Sequence, residues 1–271
     1  MSHDARPLGV FDSGLGGLTV VRALLDLLPH DDLVYFGDTG RFPYGPKPAD
    51  EVRRYAIEIT DLLLEHDVKM IVVACNSAAA AALDELRERA GVPVVGVIEP
   101  GLRAAVRATR TGHVGVIGTV GTIRSGAYQR VATRVAGDDV QLTCAACPGF
   151  VEFVEAGDVD SEQVHILAER LLAPMIAAKV DTLVLGCTHY PLLARTISDV
   201  MGPDVVLVSS ADETAFEVRA VLGADDPAAT APPAAKPPRR RFLTSGDVET
   251  FRTLGARFLG PEVDAVEAWA W

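Results

Sequence analysis

Short runs of β-branched and other apolar residues alternate along the chain with longer segments in which apolar residues recur at helical spacing. Such alternation is typical of parallel sheets whose two faces are covered by helices. The loops at the carboxyl ends of such strands usually carry the functional side chains. We therefore predict an α/β fold with mostly parallel sheet. Strands are predicted at residues 8–11, 33–36, 70–73, 92–95, 114–117, 182–185 and 205–208.

The remainder of the chain has a different pattern. Ala and Pro dominate residues 225–238, which predicts an extended surface linker. Residues 242–247 then indicate a further strand and a turn before a helix, and residues 266–271 alternate as an edge strand does. We expect the two tryptophans of this last segment to pack against their own domain.

Two peptides of similar design each follow an apolar run, VACNS at residues 73–77 and LGCTH at residues 185–189. Each places a cysteine at the end of a strand and at the start of a helix, where backbone N–H groups lower the pKa of a thiol from its usual value of about 8.5. A single cysteine in this setting is as often a buried, inert residue. Two of them favour a pair of half-sites that face each other across a cleft.

Each of these cysteines has a candidate partner for proton transfer. For Cys187 it is His189, two residues further on, and for Cys75 it is Asp12, at the end of the first predicted strand. Residues 11–19 also weakly resemble residues 117–123, and a cysteine peptide lies about as far downstream of each. The sequence therefore predicts an enzyme of two pseudo-symmetric α/β lobes, with its active site in the cleft between them.

Composition excludes several classes of function. The chain has 271 residues and a formal charge of −12, from 25 basic and 37 acidic residues, which disfavours binding to nucleic acid or to anionic membranes. The basic run at residues 239–241 is too short for a nucleic-acid footprint. No secretory signal and no apolar run of roughly 18 residues is visible. We expect a cytoplasmic protein with reduced thiols.

Cofactor motifs are incomplete. Of the four lysines only Lys47 lies near the predicted site, so a Schiff base to pyridoxal phosphate is poorly supported. The loop at residues 14–19 has Thr19 in place of the third glycine of a dinucleotide fingerprint. Cys144 and Cys147 lack a second pair of zinc ligands. We predict no cofactor and no metal.

Several segments are similar to the cofactor-independent glutamate racemases of bacterial peptidoglycan synthesis. The CTHYP run at residues 187–191 is highly specific, whereas the glycine loop is not. Ser77 stands where threonine is common, and Glu152 where proline is common, so that an acidic residue of the family aligns better with Glu155. The matching segments are FDSGLGG at residues 11–17, GDT at 37–39, PYG at 43–45, ACNS at 74–77, GVIEP at 96–100, CPGFV at 147–151, GCTHYPL at 186–192 and TSGD at 244–247.

The resemblance implies a first lobe of residues 1–97 completed by 210–271, and a second lobe of residues 98–209. It further implies that L- or D-glutamate binds between the lobes, that no cofactor is needed and that the protein is a homodimer. Cys75 and Cys187 would act on opposite faces of the α-carbon, with the substrate site lined by Asp12, Ser13, Tyr44, Gly45, Asn76, Ser77, Thr188 and His189. Asp12 and His189 would assist the thiols, and Glu155 and Asp38 would support the site.

Other functions stay open at this point. An aspartate racemase is the nearest alternative, because aspartate and glutamate are both short dicarboxylates. Hydantoin racemases and maleate isomerases also use paired cysteines. A two-lobed protein that binds an amino acid without chemistry would not need matched thiols. A dinucleotide-dependent oxidoreductase is disfavoured by the incomplete fingerprint.

Overall fold

Ten strands form two parallel sheets within residues 4–223, 237–263 and 265–271, which the computed structural model of the chain describes. The strands are β1 Leu8–Asp12, β2 Leu33–Gly37, β3 Met70–Val73, β4 Val94–Gly96, β5 His113–Gly118, β6 Gln141–Ala146, β7 Thr182–Gly186, β8 Val206–Ser209, β9 Arg240–Thr244 and β10 Val266–Ala268. The larger sheet has the order β10-β9-β2-β1-β3-β4, and the smaller has the order β6-β5-β7-β8. All strand pairs are parallel. The predicted α/β fold is confirmed.

Helices connect the strands and cover both faces of the sheets. They are α1 Leu18–Leu27, α2 Ala49–Glu65, α3 Asn76–Arg89, α4 Ile98–Ala108, α5 Val120–Arg124, α6 Ala127–Ala136, α7 Phe150–Ala156, α8 Glu162–Ala177, α9 Ala194–Met201, α10 Ser210–Val221 and α11 Val248–Leu259. Two short 3₁₀ helices span Tyr190–Leu193 and Gly260–Glu262. Side chains cap several helices at their first turn, as Asp247 does by accepting from the N–H of Thr250 at 2.7 Å. None of the helices within the described ranges is long and apolar enough to cross a membrane.

The central strands alternate between two apolar layers. Leu8 and Val10 of β1 pack with α1, α10 and α11, whereas Phe11 of the same strand packs with α2 and α3. This is the expected result for a parallel strand that is buried on both faces. In the smaller sheet, Leu183 and Leu185 pack with α7, α8 and α9.

The two sheets repeat one arrangement. Four neighbouring strands of the larger sheet, in the order β2-β1-β3-β4, correspond to β6-β5-β7-β8 of the smaller one. In this correspondence β3 matches β7, so Cys75 and Cys187 come directly after matching strands, separated from them by one residue or none. The weak repeat in the sequence therefore reflects a real structural repeat.

Most predicted elements are present, including the edge strand β10 and the strand β9 before α11. Strand β6 was not predicted, because this edge strand is only partly buried and lacks a run of β-branched apolar residues. Trp271 packs edge-on against Phe36 of its own chain, with ring centroids 5.4 Å apart, but stays half-exposed. Of the predicted linker at residues 225–238, all but the last two residues lie outside the described ranges. The lobe boundaries after residues 97 and 209 stay a prediction.

Candidate active site

Cys75 and Cys187 line one cleft at the carboxyl ends of both sheets. The cleft has an empty volume of ≈ 640 Å³, open solvent at its mouth included. Of the predicted site residues it is lined by Ser13, Tyr44, Gly45, Cys75, Asn76, Ser77, Cys187, Thr188 and His189. The sequence did not predict its other lining residues, which are Phe42, Pro43, Pro46, Thr119, Val120, Cys147, Pro148, Gly149, Val151, Glu152 and Tyr190.

Cys75 is the N-cap residue of α3, and its Sγ accepts a hydrogen bond from the N–H of Ala78 at 3.4 Å. Burial, and after it the nearby charge of Asp12, raise the pKa of this thiol to about 12. Hydrogen bonds from Ala78 and Ser13 act in the opposite direction but are too weak to reverse the shift. The predicted lowering of the pKa is therefore wrong for Cys75. Removal from water destabilises the thiolate more than the helix N-terminus stabilises it.

His189 connects Cys187 to an acidic residue. Its Nδ1 lies 3.9 Å from Cys187 Sγ, and its Nε2 lies 2.7 Å from Glu155 Oε1. Burial by itself lowers the pKa of His189, but the hydrogen bonds to Cys187 and Glu155, together with the charges of Cys187 and Asp12, outweigh burial and raise it to about 10. Glu155 of α7 thus lies behind the histidine, whereas Glu152 lines the cleft directly.

Asp12 lies fully buried at the end of β1, beneath the cleft. Its carboxylate accepts hydrogen bonds from the N–H of Gly14 at 3.0 Å and from Thr188 Oγ1 at 3.4 Å. Burial raises its pKa, which His189 and these hydrogen bonds partly oppose. Asp12 therefore acts on Cys75 through its charge, while Ser13 and Ala78 supply hydrogen bonds to the thiol.

Asp38 lies behind the cleft and holds the loop that follows β2. Its carboxylate accepts hydrogen bonds from Arg41 Nε at 2.7 Å, from Ser245 Oγ at 2.6 Å, from Trp271 Nε1 at 3.2 Å and from the Tyr44 hydroxyl. The Tyr44 hydroxyl is thus turned away from the cleft, and burial raises its pKa. Tyr44 and Asp38 shape the cleft, and the sequence pattern could not show that their polar atoms bind each other.

Three hydroxyl groups join the sheets beside the cleft. Ser77 Oγ lies 3.0 Å from Thr119 Oγ1 and 3.2 Å from Thr122 Oγ1, and the two threonines lie 3.0 Å apart. The N–H of Gly121 also donates to the carbonyl of Gly45 at 2.8 Å. Thr119 follows β5 as Ser13 follows β1, so the internal repeat was the signal that could have predicted it.

The lysine and the two cysteines that were considered as cofactor or zinc ligands have different environments in the structure. Lys47 pairs with Glu51, with Nζ and Oε1 3.3 Å apart. Cys147 lines the cleft, and burial raises its pKa to about 12, whereas Cys144 packs outside the cleft. Within residues 4–223, 237–263 and 265–271, no three His, Cys, Asp or Glu side chains are grouped so that they could hold a metal ion.

Comparisons with known proteins agree with this geometry. Residues 18–217 match the family model described as Asp/Glu/Hydantoin racemase. The glutamate racemase of Acidothermus cellulolyticus is 54% identical over 260 residues, which cover 96% of this chain and 97% of that protein.

Solved structures give the same result. A glutamate racemase isoform from Bacillus anthracis superposes with a TM-score of 0.90 at 39% identity, covering 99% of this chain and 98% of that one. The glutamate racemase from Francisella tularensis, solved in complex with D-glutamate, gives a TM-score of 0.89 at 33% identity and covers 98% of both chains. The chain therefore belongs to the Asp/Glu/hydantoin racemase family, and within that family to the glutamate racemases.

Proposed function

We propose that this enzyme interconverts L- and D-glutamate without a cofactor, and that Cys75 and Cys187 exchange the α-proton on opposite faces of the substrate. The observation that carries the proposal is the position of the two cysteines. They follow matching strands of two sheets, and both line one cleft. The relatives that share nearly the whole chain are named for this reaction.

Removal of the α-proton leaves a planar carbanion whose charge spreads into the neighbouring carboxylate. Without a cofactor to accept that charge, hydrogen-bond donors that face the carboxylate must stabilise it. Asn76 supplies such a donor, since its Nδ2 is buried in the cleft wall and has no hydrogen-bond partner among the residues that the structure describes. The hydroxyl groups of Ser77 and Thr188 line the same cleft.

The proposed mechanism requires the two thiols to be in opposite protonation states. Cys75 is held as a thiol by burial, so it can donate a proton to the carbanion. In this scheme Cys187, whose Sγ lies 3.9 Å from His189 Nδ1, is the base that takes the α-proton from the opposite face. One S–H bond forms as the other breaks, so the stereocentre inverts. The enzyme is left with the two states exchanged, ready for the other enantiomer.

A proton NMR experiment tests the proposal. Purified protein is incubated with L-glutamate, then with D-glutamate, in deuterated buffer without added cofactor, and the α-proton signal is followed beside optical rotation. Loss of the α-proton from both enantiomers together with falling rotation is expected. Exchange of aspartate but not of glutamate would favour an aspartate racemase, and exchange of neither would contradict the proposal and favour a protein that binds an amino acid without chemistry.

The resemblance supports two further parts of this proposal. D-glutamate formed by the enzyme would supply peptidoglycan synthesis, which depletion of the protein in a growing bacterium tests through rescue by external D-glutamate. The protein would be a homodimer, for which light scattering should give about twice the chain mass of 28.7 kDa. Growth without rescue, or a monomer at all concentrations, would contradict the respective part.

A further inference from the structure

Tyr128 reaches from α6 to the cysteine peptide of the other sheet. Its ring is almost completely buried, and its hydroxyl donates a hydrogen bond to Asn76 Oδ1 at 2.8 Å. Asn76 comes directly after Cys75, begins α3 and lines the cleft, whereas Tyr128 itself does not line the cleft. Tyr128 therefore touches the site only through Asn76 on this side.

The hydrogen bond determines which end of the Asn76 amide is free. An asparagine side chain has one carbonyl oxygen, which accepts, and one NH₂ group, which donates. The Tyr128 hydroxyl binds the oxygen, and the NH₂ nitrogen is buried without a hydrogen-bond partner in the described part of the chain. Because a buried donor without a partner is unfavourable, this NH₂ group is left for an acceptor inside the cleft.

The same ring also contacts the second cysteine peptide. A Cβ atom added to Gly186 would lie 3.1 Å from the Tyr128 hydroxyl oxygen and 3.2 Å from Cε2, so the ring packs directly on this glycine. Gly186 immediately precedes Cys187. Burial raises the pKa of Tyr128, so its hydroxyl keeps its proton and remains a donor. One side chain thus contacts the residue after Cys75 and the residue before Cys187.

We propose that Tyr128 is a positioning residue, whose hydroxyl fixes the Asn76 amide with its NH₂ group toward the substrate carboxylate. This inference rests on the proposed function. Without the hydroxyl the amide is free to turn over and to present its oxygen to the carboxylate, where two acceptors repel each other. The donor that stabilises the carbanion is then lost in part of the molecules.

A double-mutant cycle tests the proposal, with kcat and KM measured for both enantiomers. Tyr128→Phe removes only the hydroxyl, and we expect kcat/KM to fall about tenfold for L- and D-glutamate alike. Asn76→Ala removes the donor, and we expect a fall of about 10²-fold, mainly in kcat. In the double variant the loss should equal that of Asn76→Ala alone, because Tyr128 acts through Asn76. Independent losses that multiply to about 10³-fold, or an unchanged Tyr128→Phe enzyme, would overturn the proposal.

A matched control separates positioning from stability. Thr196 is buried on α9, and its Oγ1 donates to the carbonyl of Val159 at 2.7 Å, so Thr196→Val also removes one buried hydroxyl hydrogen bond. Thr196 does not line the cleft. Thr196→Val should keep the kcat/KM of the natural enzyme even if it unfolds at a lower temperature. A fall equal to that of Tyr128→Phe would mean that the loss reports stability alone.

A second measurement does not depend on the reaction. The side-chain amide of Asn76 gives a pair of NMR signals that Asn76→Ala identifies by their absence. In Tyr128→Phe without ligand, these signals should shift and broaden as the amide becomes free to turn. Unchanged signals would overturn the proposal even if the enzyme racemises glutamate. Absence of racemisation by the natural enzyme would instead overturn the proposed function. The NMR signals would still show whether Tyr128 fixes the orientation of the Asn76 amide.

Discussion

Thr188 Oγ1 donates a hydrogen bond to Asp12 Oδ1 at 3.4 Å, and so joins the loop after β7 to the end of β1. The two residues are 176 positions apart and belong to different sheets. Gly16 lies at the same contact between the loop after β1 and the loop after β7, where an added Cβ would meet the side chains of both Thr188 and His189. The two halves of the cleft are therefore held together by close contacts that leave no room for one further carbon.

Gly16→Ala tests this close approach. The new Cβ would lie 2.5 Å from His189 Nδ1, so the side chains of His189 and Thr188, which contact Cys187 and Asp12, must shift. We expect kcat/KM for glutamate to fall at least about tenfold, since displacements of about 1 Å in an active site can cost up to 10² in rate. Gly255→Ala is the control, because its Cβ would meet Leu18 Cδ1 at 3.2 Å, away from the cleft. Equal activities of the two variants would contradict a close approach of Gly16 to Thr188 and His189.

Asp12→Asn should make the fold more stable and the enzyme slower. Burial raises the pKa of Asp12, so its charged form is less favourable in the folded protein than in the unfolded chain. The wild-type protein therefore loses stability relative to the variant as pH rises above the unfolded value of about 3.9. We expect the variant's advantage in melting temperature to be absent near pH 3 and to grow toward neutral pH. We also expect kcat/KM to fall at least about tenfold, because the charge near Cys75 and His189 is lost.

Asp181→Asn is the matched comparison with the opposite sign. Asp181 accepts hydrogen bonds from Thr109 Oγ1 at 2.6 Å and from the N–H groups of Arg110 and Thr111 at 2.7 and 2.8 Å. Burial alone raises its pKa, but these bonds outweigh burial and lower it. Its stabilising effect is thus present at neutral pH and is lost as pH falls through the lowered pKa. If both asparagine variants changed with pH in the same direction, the assigned shifts would be wrong.

Cys75→Ser and Cys187→Ser should each remove racemisation but leave different partial reactions. General acid–base catalysis contributes about 10²–10⁴-fold, so loss of one thiol should lower racemisation by that order. Each variant keeps one functioning face and should still exchange the α-proton of one enantiomer with solvent. Deuterium exchange measured separately for L- and D-glutamate decides this, with Cys144→Ser, outside the cleft, as the unaffected control. Equal, modest losses for both enantiomers in both variants would contradict the two-base scheme.

Glu155→Gln should shift the pH profile of the enzyme. Glu155 helps to raise the pKa of His189 to about 10, so the imidazolium beside Cys187 persists at alkaline pH. A glutamine keeps an acceptor oxygen but removes the charge, and the pKa of His189 then falls, by roughly one unit. The alkaline limb of kcat/KM should move to lower pH by the same amount. Glu152→Gln, which lines the cleft without a bond to His189, should leave the position of that limb unchanged.

The pattern of apolar positions was sufficient for the fold class, because a parallel strand buried on both faces gives a continuous apolar run. This pattern did not predict strand β6, because a partly buried edge strand needs no continuous apolar run. The positions of Cys75 and Cys187 could also be read from the sequence, because both follow such runs at corresponding points of the repeat. Whether Asp12, Ser13, Tyr44 and the other suggested residues perform their predicted roles stays a prediction.

Tertiary structure alone decided the electrostatics and the second layer of the site. The helix N-terminus predicted a lowered pKa for Cys75, but burial raises the pKa instead. Burial depends on the folded surroundings and not on the residues next to Cys75 in sequence. The pairing of Glu155 with His189 and of Tyr128 with Asn76 joins residues 34 and 52 positions apart. A sequence determines which side chains end each strand. Tertiary packing determines which side chains meet, because such contacts depend on distances that no local pattern encodes.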